Sequence, residues 1–257
     1  MTSSFLQGKK GLVIGIANDQ SIAYGCAKAF RQQGAELAVT YLNEKARPHV
    51  QPLAEELGAE IFAPCNVSHP GELEGVFEAI EARWGKLDFL LHSIAFCPMD
   101  DLHGRVVDSS AEGFKTAMDV SCHSFIRMAK LAEPLMAEGG SLLAVSYYGA
   151  EKVVSHYNVM GPVKAALETT GRYLAAELGP QQIRVNILSP GPIMTRAASG
   201  IGHFDELMHH AEEHTPVRHL ADINDVGHAA AFLASDAARS ISATTFYIDG
   251  GYHAISG

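Results

Sequence analysis

Two residues seven positions apart, Tyr157 and Lys164, could carry acid–base chemistry. A phenol has an unperturbed pKa of about 10 and is a poor acid at neutral pH. A neighbouring ammonium favours the phenolate and lowers that pKa. Seven residues are close to two helical turns, so the spacing predicts both side chains on one face of a long helix, about Tyr157–Leu178. The pair indicates stabilisation of a developing negative charge, although two surface residues of an amphipathic helix would show the same spacing.

A glycine-containing loop follows the first apolar run and reads Gly15-Ile-Ala-Asn-Asp-Gln-Ser21-Ile-Ala23-Tyr-Gly25. A phosphate-binding turn needs little side-chain bulk and a helix N-terminus aimed at the anion. We expect Gly15 to make the turn, Ser21 to cap the helix and contact phosphate, and Ala23 and Gly25 to allow close packing. The loop is not a strict GxGxxG, so an ordinary strand-to-helix turn with a serine cap is the alternative.

Short apolar runs alternate with helical patterns along the chain. The predicted strands are Gly11–Ile16, Glu36–Tyr41, Ile61–Cys65, Phe89–His92, Ser141–Val145, Arg184–Leu188 and Thr245–Ile248. The predicted helices are Ile22–Gln33, Ala46–Leu57, one ending at Trp84, about Ala111–Met136, about Tyr157–Leu178 and Ile223–Ala234. Such strands indicate a parallel sheet covered on both faces. The sequence therefore predicts an α/β fold with a doubly wound, Rossmann-type, seven-stranded parallel sheet in one domain, residues 1–257, and a substrate lid at about 195–216.

Composition narrows the classes of function. Hydrophobic residues make up 47% of the 257 residues and charged residues 19%, which suffices for a sizeable core. The net charge of -10 disfavours nucleic acid and anionic membranes as partners. No apolar run is long enough for a signal peptide or a spanning helix. The four cysteines lack CxxC spacing and are predicted to be reduced thiols of a cytoplasmic protein: Cys26, Cys65, Cys97 and Cys122.

The end of the second strand bears on cofactor choice. An acid there usually holds the adenosine ribose of NAD, whereas arginine accommodates the 2′-phosphate of NADP. Here the strand ends Thr40-Tyr41-Leu42-Asn43, with the first acid at Glu44 and the nearest bases at Lys45 and Arg47. These residues leave the phosphate state of the cofactor open.

Several motifs together resemble the short-chain dehydrogenase/reductase superfamily. They are the Gly15 loop, Asn66-Val67, His92-Ser93-Ile94-Ala95, the Tyr157/Lys164 pair, Ser189-Pro190-Gly191-Pro192-Ile193 and Asp249-Gly250-Gly251. More narrowly, the chain resembles the bacterial NADH-dependent enoyl-acyl-carrier-protein reductases, essentially from Leu6 to Gly251. Ordinary members place a catalytic serine thirteen residues before the tyrosine, where this chain has Ala144. It instead carries Tyr147, a second tyrosine ten residues before Tyr157, as enoyl reductases do.

The resemblance implies hydride delivery from NADH, with NADPH left open, to the β-carbon of a trans-2-enoyl thioester on acyl carrier protein or coenzyme A. Tyr157 would stabilise the enolate oxygen, Lys164 would hold the ribose, and Tyr147 would flank the acyl chain or assist proton delivery. Cys97 matches a backbone position on the substrate side. The family's cofactor contacts match Gly15, Ser21, Ile22, Leu42, Asn66, Val67, Ile94, Lys164, Ile193, Met194, Thr195, Arg196 and Ala197. By analogy a homotetramer is expected.

Some features depart from the family pattern. Asn66 stands where an aspartate is usual, and Leu42 replaces a polar residue near the ribose. Pro162, beyond the first turn of a helix starting near Tyr157, is expected to bend it. The lid segment has acids where the family has bases, which predicts weak docking of an acidic carrier protein.

Two other functions stay open. The first is a carbonyl reductase or alcohol dehydrogenase of the same superfamily, which Ala144 disfavours because it cannot replace the serine hydroxyl. The second is a non-catalytic nucleotide-binding protein that retains Tyr157 and Lys164. A metal site on His203, His210 and His214 has the right helical spacing but no accompanying acid, so we expect no metal.

Overall fold

The structure is a computed structural model that describes residues 4–195, 198, 202 and 204–255. In this part of the chain, seven parallel strands form one sheet in the order β3-β2-β1-β4-β5-β6-β7. The strands are β1 Lys10–Ile14, β2 Glu36–Tyr41, β3 Ile61–Pro64, β4 Phe89–His92, β5 Gly140–Val145, β6 Ile183–Pro190 and β7 Thr245–Ile248. The predicted doubly wound, seven-stranded α/β fold is confirmed.

Helices cover both faces of this sheet. They are α1 Ile22–Gln32, α2 Arg47–Glu56, α3 Glu72–Trp84, α4 Met99–His103, α5 Ala111–Met118, α6 Ser124–Ala132, α7 Met160–Leu178, α8 Phe204–His214 and α9 Ile223–Ala234. Adjacent strand residues point to opposite faces, so Leu12 of β1 joins a core with α3, α6 and α7. Its neighbour Val13 joins a second core with α1, α2 and α9.

The strand order reverses between β1 and β4, where ligands bind in open α/β sheets. At this point the chain leaves β1 through Gly15 and leaves β4 through Ser93, whose amide donates to the Ile14 carbonyl at 2.9 Å. Gly15 has a φ of 121°, and a Cβ there would lie 2.0 Å from the Ser93 carbonyl oxygen. Only glycine therefore lets the two strand ends approach so closely.

Two helix predictions are wrong. The long helix α7 begins at Met160, so Tyr157 lies in the preceding turn. Pro162 consequently falls in the first helical turn, where amides have no intrahelical partner. The proline therefore removes no hydrogen bond, and the bend predicted for this helix has no physical basis. The predicted helix Ala111–Met136 is divided into α5 and α6 by a π-helical turn, Asp119–His123.

Two further observations concern the sequence expectations. All four cysteines are buried and free. Within the described residues, no helix is both long and apolar enough to cross a membrane.

Candidate active site

A cavity of about 410 Å³ opens at the carboxyl end of the sheet, at the strand reversal. Its walls contain ten of the predicted site residues: Gly15, Ser21, Ile22, Ile94, Cys97, Tyr147, Tyr157, Lys164, Ile193 and Thr195. The remaining walls are mostly apolar and include Phe96, Met99, Leu102, Met160 and Phe204. One end of the cavity thus meets the glycine loop, and the other is bounded by two tyrosines and a lysine.

The Tyr157 side chain lies in the turn before α7 and is 7% exposed. Its ring meets the Tyr147 ring edge-on, with centroids 4.9 Å apart and an interplanar angle of 65°. Burial, followed by Tyr147 and Glu168, raises the pKa of the Tyr157 phenol. The net shift is thus upward, opposite to the direction expected from a neighbouring ammonium. Tyr157 is a neutral phenol here and can donate a hydrogen bond.

Lys164 lies in the second turn of α7 and is buried, 5% exposed. Its Nζ donates to the carbonyl oxygen of Val145, the last residue of β5, at 2.7 Å. Burial lowers the pKa of Lys164 to about 8, while the carboxylate of Glu168 opposes this shift. An ammonium has three N–H donors, so two remain after the bond to Val145.

Tyr147 follows β5 in an extended conformation, with a φ of -155°. Its hydroxyl is buried and has no hydrogen-bond partner among the described residues. Burial also raises the pKa of Tyr147, so it stays a neutral phenol. The serine position of ordinary superfamily members is taken by Ala144, whose side chain is 0% exposed and belongs to the core behind the sheet.

The glycine loop forms differently from the prediction at Ser21. This residue occupies the N-cap position of α1 but makes no side-chain cap bond. Its Oγ instead accepts from the amides of Ala17 and Asn18, each at 3.0 Å. The expected close packing is confirmed at Gly25, where a Cβ would lie 2.1 Å from the Ile223 carbonyl oxygen of α9.

Several predicted cofactor residues do not line the cavity: Leu42, Asn66, Val67 and Met194. The Asn66 side chain accepts from the Ser68 amide at 3.0 Å and lies 3.3 Å from a ring nitrogen of His69. Leu42 is 51% exposed after β2. Arg196 and Ala197 lie outside the described residues. The cavity therefore accommodates only part of the predicted cofactor set.

The wall residues missed by sequence reasoning come mainly from the segment after β4. Met99 and Leu102 belong to α4, a five-residue helix too short to give a periodic signal. Phe204 begins α8, which lies within the predicted lid segment. On α8 the rings of His210 and His214 stack with centroids 4.1 Å apart, whereas His203 is outside the described residues. Among the residues described, no group of three or more ligating side chains could hold a metal ion.

The family model for enoyl-(acyl carrier protein) reductase matches residues 15–253. The chain belongs to this family, within the short-chain dehydrogenase/reductase superfamily. It is 45% identical over 253 residues to an NADH-dependent enoyl-acyl-carrier-protein reductase of Rhizobium meliloti, covering 98% of this chain and 93% of that protein. The corresponding Escherichia coli enzyme is 45% identical over 249 residues, covering 96% and 95%.

Solved structures of family members superpose closely. The enoyl-acyl-carrier-protein reductase of Anaplasma phagocytophilum in complex with NAD gives a TM-score of 0.95 at 48% identity, covering 100% of this chain and 98% of the other. The Bacillus cereus reductase, solved with NADP⁺ and an indole naphthyridinone, gives a TM-score of 0.96 at 41% identity, covering 98% and 99%.

The buried ammonium of this family member makes its stability depend on pH. Unfolded Lys164 keeps its ordinary pKa of 10.5, against about 8 when folded. Below about pH 8 Lys164 is charged in both states, and burial of the charge lowers the free energy of unfolding by its full amount. As pH rises toward 10.5 the folded state loses this proton first, so the free energy of unfolding rises. Relative to Lys164→Met, wild-type unfolding free energy should therefore rise by up to about 3 kcal/mol between about pH 7.5 and about pH 10. Denaturant titrations measure this difference.

The matched control is Lys130→Met on α6, where the lysine is exposed. Its difference from wild type should stay constant over the same pH range. If the Lys164→Met difference also stayed constant, the lowered pKa of Lys164 would be wrong.

Proposed function

We propose that this protein catalyses NADH-dependent reduction of the trans-2 double bond of an enoyl thioester in fatty-acid synthesis. The observation that carries this proposal is the contact between Tyr147 and Tyr157 in the wall of an apolar cavity, 4.9 Å between ring centroids. Ala144, which the sequence spacing puts at the serine position, has no hydroxyl and packs in the core, not in the cavity wall. Relatives about 45% identical over nearly the whole chain bear the name of this activity.

The cavity fits a nicotinamide cofactor, which supplies hydride when bound. The loop after Gly15 leads to the N-terminus of α1, whose first-turn amides lack intrahelical partners and favour an anion. Ser21 braces this loop, and Ile22 and Ile94 add apolar walls. At the other end, the two free N–H donors of Lys164 can hold ribose hydroxyls. Donors for phosphate and ribose thus lie in one continuous cavity.

The remaining family positions complete the proposed cofactor set: Leu42, Asn66, Val67, Ile193, Met194, Thr195, Arg196 and Ala197. Leu42, Asn66 and Val67 follow β2 and β3, on the side of the sheet order where an adenosine would extend. These three residues match the family's cofactor contacts but do not line the cavity.

Tyr157 acts on the thioester carbonyl. Hydride addition at the β-carbon leaves negative charge on the thioester oxygen, and a neutral phenol donates a hydrogen bond to that oxygen as the charge grows. Burial strengthens such a bond because charges interact more strongly in a low-dielectric interior than in bulk water. The ammonium of Lys164 adds positive potential in the same wall. Protonation of the α-carbon then completes the reduction.

We assign Tyr147 to the part of the cavity that would hold the acyl chain of the substrate. Its ring lies edge-on to Tyr157, and its hydroxyl is buried without a partner among the described residues. A neutral phenol so placed flanks the acyl chain or hands on a proton. Cys97 contributes a substrate-side position in the same apolar cluster, which also holds Leu102 and Met160.

Helix α8 forms part of the proposed lid, and its surface charge bears on which carrier of the thioester the protein uses. Phe204 at its start closes one cavity wall, while Asp205, Glu206, Glu212 and Glu213 are exposed. Such a surface repels an acidic carrier protein, so we propose weak docking and comparable use of coenzyme A thioesters. A cytoplasmic location and a homotetramer complete the proposal, on the grounds of free cysteines and family analogy.

A carbonyl reductase and a non-catalytic nucleotide-binding protein are the competing functions, and one assay separates all three. We expect NADH oxidation with crotonyl-coenzyme A and none with acetoacetyl-coenzyme A. Tyr157→Phe should lower kcat about 10²- to 10³-fold because the hydrogen bond to the developing oxyanion is lost, while NADH affinity is kept.

The control is Tyr173→Phe, since Tyr173 is on α7 but 75% exposed, and its kcat should be unchanged. Turnover of Tyr157→Phe within about threefold of wild type would refute the mechanism. Reduction of acetoacetyl-coenzyme A instead would support the carbonyl reductase, and turnover of neither thioester would support the non-catalytic protein.

The end of β2 predicts a preference for NADH over NADPH. The Arg47 guanidinium is paired with the Glu44 carboxylate at 3.4 Å and lies over the Tyr41 ring at 5.7 Å. A 2′-phosphate here would meet the carboxylate. Glu44→Gln removes that charge and frees Arg47, so it should raise kcat/KM for NADPH about fivefold or more relative to NADH.

The control is Glu55→Gln on α2, an exposed acid bonded to Gln51 at 2.9 Å, which should leave the ratio unchanged. A wild-type preference for NADPH of more than about tenfold would contradict the prediction.

A further inference from the structure

The turn that carries Tyr157 has an unusual backbone. Both flanking residues, His156 and Asn158, lie in the left-handed region, with φ of 64° and 45°. This region is costly for residues with a Cβ, although asparagine tolerates it better than most. Two such residues around one side chain mark a locally strained segment that the surrounding structure must hold in place.

One holding contact comes from the Asn158 side chain. Its Nδ2 donates to the carbonyl oxygen of Leu102 at 2.8 Å. Leu102 is the penultimate residue of α4, and carbonyls in the last turn of a helix lack intrahelical partners. The bond therefore satisfies an open acceptor on α4. Because Leu102 and Met99 also line the cavity, it connects the Tyr157 turn to the substrate wall.

A second contact fixes the ring itself. A Cβ on Gly149 would lie 2.4 Å from Cδ1 of Tyr157, so the ring rests directly on the Gly149 backbone. Tyr147 meets the ring on another side. With the ring confined in this way, the place of the Tyr157 hydroxyl depends on the backbone of the turn, which Asn158 ties to α4.

We infer that Asn158 is a positioning residue. Through its bond to Leu102 it fixes the position of the Tyr157 hydroxyl relative to the cavity wall that α4 forms. The inference rests on the proposed function, because it concerns the hydrogen bond that Tyr157 gives to the thioester oxygen. Asn158 itself touches neither the cofactor nor the reacting atoms. Its contribution should thus appear only through Tyr157.

Asn158→Gly separates the side chain from the backbone conformation, since glycine keeps the left-handed φ at no cost. Displacing a catalytic group by about 1 Å can cost on the order of 10²-fold in rate. We expect kcat with crotonyl-coenzyme A and NADH to fall about 10- to 100-fold. The Kd for NADH, measured by fluorescence titration, should change less than about threefold, because Lys164 and the glycine loop are untouched.

The decisive measurement repeats Asn158→Gly in the Tyr157→Phe background. If Asn158 acts through the hydroxyl, the second substitution should lower kcat by less than about threefold there. The matched control is Gln182→Gly, which removes a side chain from another left-handed position, with a φ of 61°, after the end of α7. It should leave kcat unchanged in both backgrounds.

Each outcome decides the inference. An unchanged kcat for Asn158→Gly, or losses that multiply fully in the Tyr157→Phe background, would overturn it. If Asn158→Gly fails to fold by circular dichroism, Asn158→Asp, which has the same shape but no N–H donor, is measured in its place and judged by the same criteria. Wild-type protein inactive on crotonyl-coenzyme A would refute the proposed function, and the inference would fall with it.

Discussion

The active-site cavity depends on a buried ammonium. The Lys164 side chain projects from α7, is almost completely buried, and donates to the carbonyl of Val145 at 2.7 Å. A buried charge is tolerated only when it is hydrogen-bonded or paired, so this contact fixes the distance between α7 and the end of β5. Glu168, one turn further along α7, accepts a hydrogen bond from the Ser146 hydroxyl at 2.6 Å. Because Ser146 directly follows β5, this bond is a second link between α7 and the end of β5. Val145, Ser146 and Lys164 also line the cavity, so these bonds hold that part of its wall in place.

A second constraint on the site is that Tyr157 must reach the cavity from the turn before α7, not from the helix itself. Because α7 starts only at Met160, Tyr157 depends on a turn with two left-handed residues rather than on helical geometry. The turn sets the phenol against Gly149 and Tyr147, where burial raises its pKa and keeps it neutral. A neutral phenol and a buried ammonium in one cavity wall suit the stabilisation of a transient oxyanion, because the phenol donates a hydrogen bond and the ammonium adds positive potential.

The sequence predicted the sheet well, since all seven strands lie within two residues of their predicted ends. Buried parallel strands are continuous apolar runs, and this signal is local. The start of α7 was wrong because the side chains of His156 and Asn158 do not reveal a left-handed backbone. The π-helical turn at Asp119–His123 was missed because the apolar periodicity continues through it. The cavity walls from α4 depend on tertiary contacts, which no local pattern encodes. The bonds of Ser21 to the Ala17 and Asn18 amides are local, but they depend on a loop conformation that the residue type does not reveal.

In the proposed reaction, hydride reaches the β-carbon of an enoyl thioester while Tyr157 stabilises the oxygen. The most direct test is one turnover with crotonyl-coenzyme A and NADH carrying deuterium on the transferred face of nicotinamide C4, followed by NMR of the product. We expect deuterium at the β-carbon and a solvent-derived hydrogen at the α-carbon. Deuterium at the α-carbon, or a reduced product without deuterium, would contradict the proposed reaction.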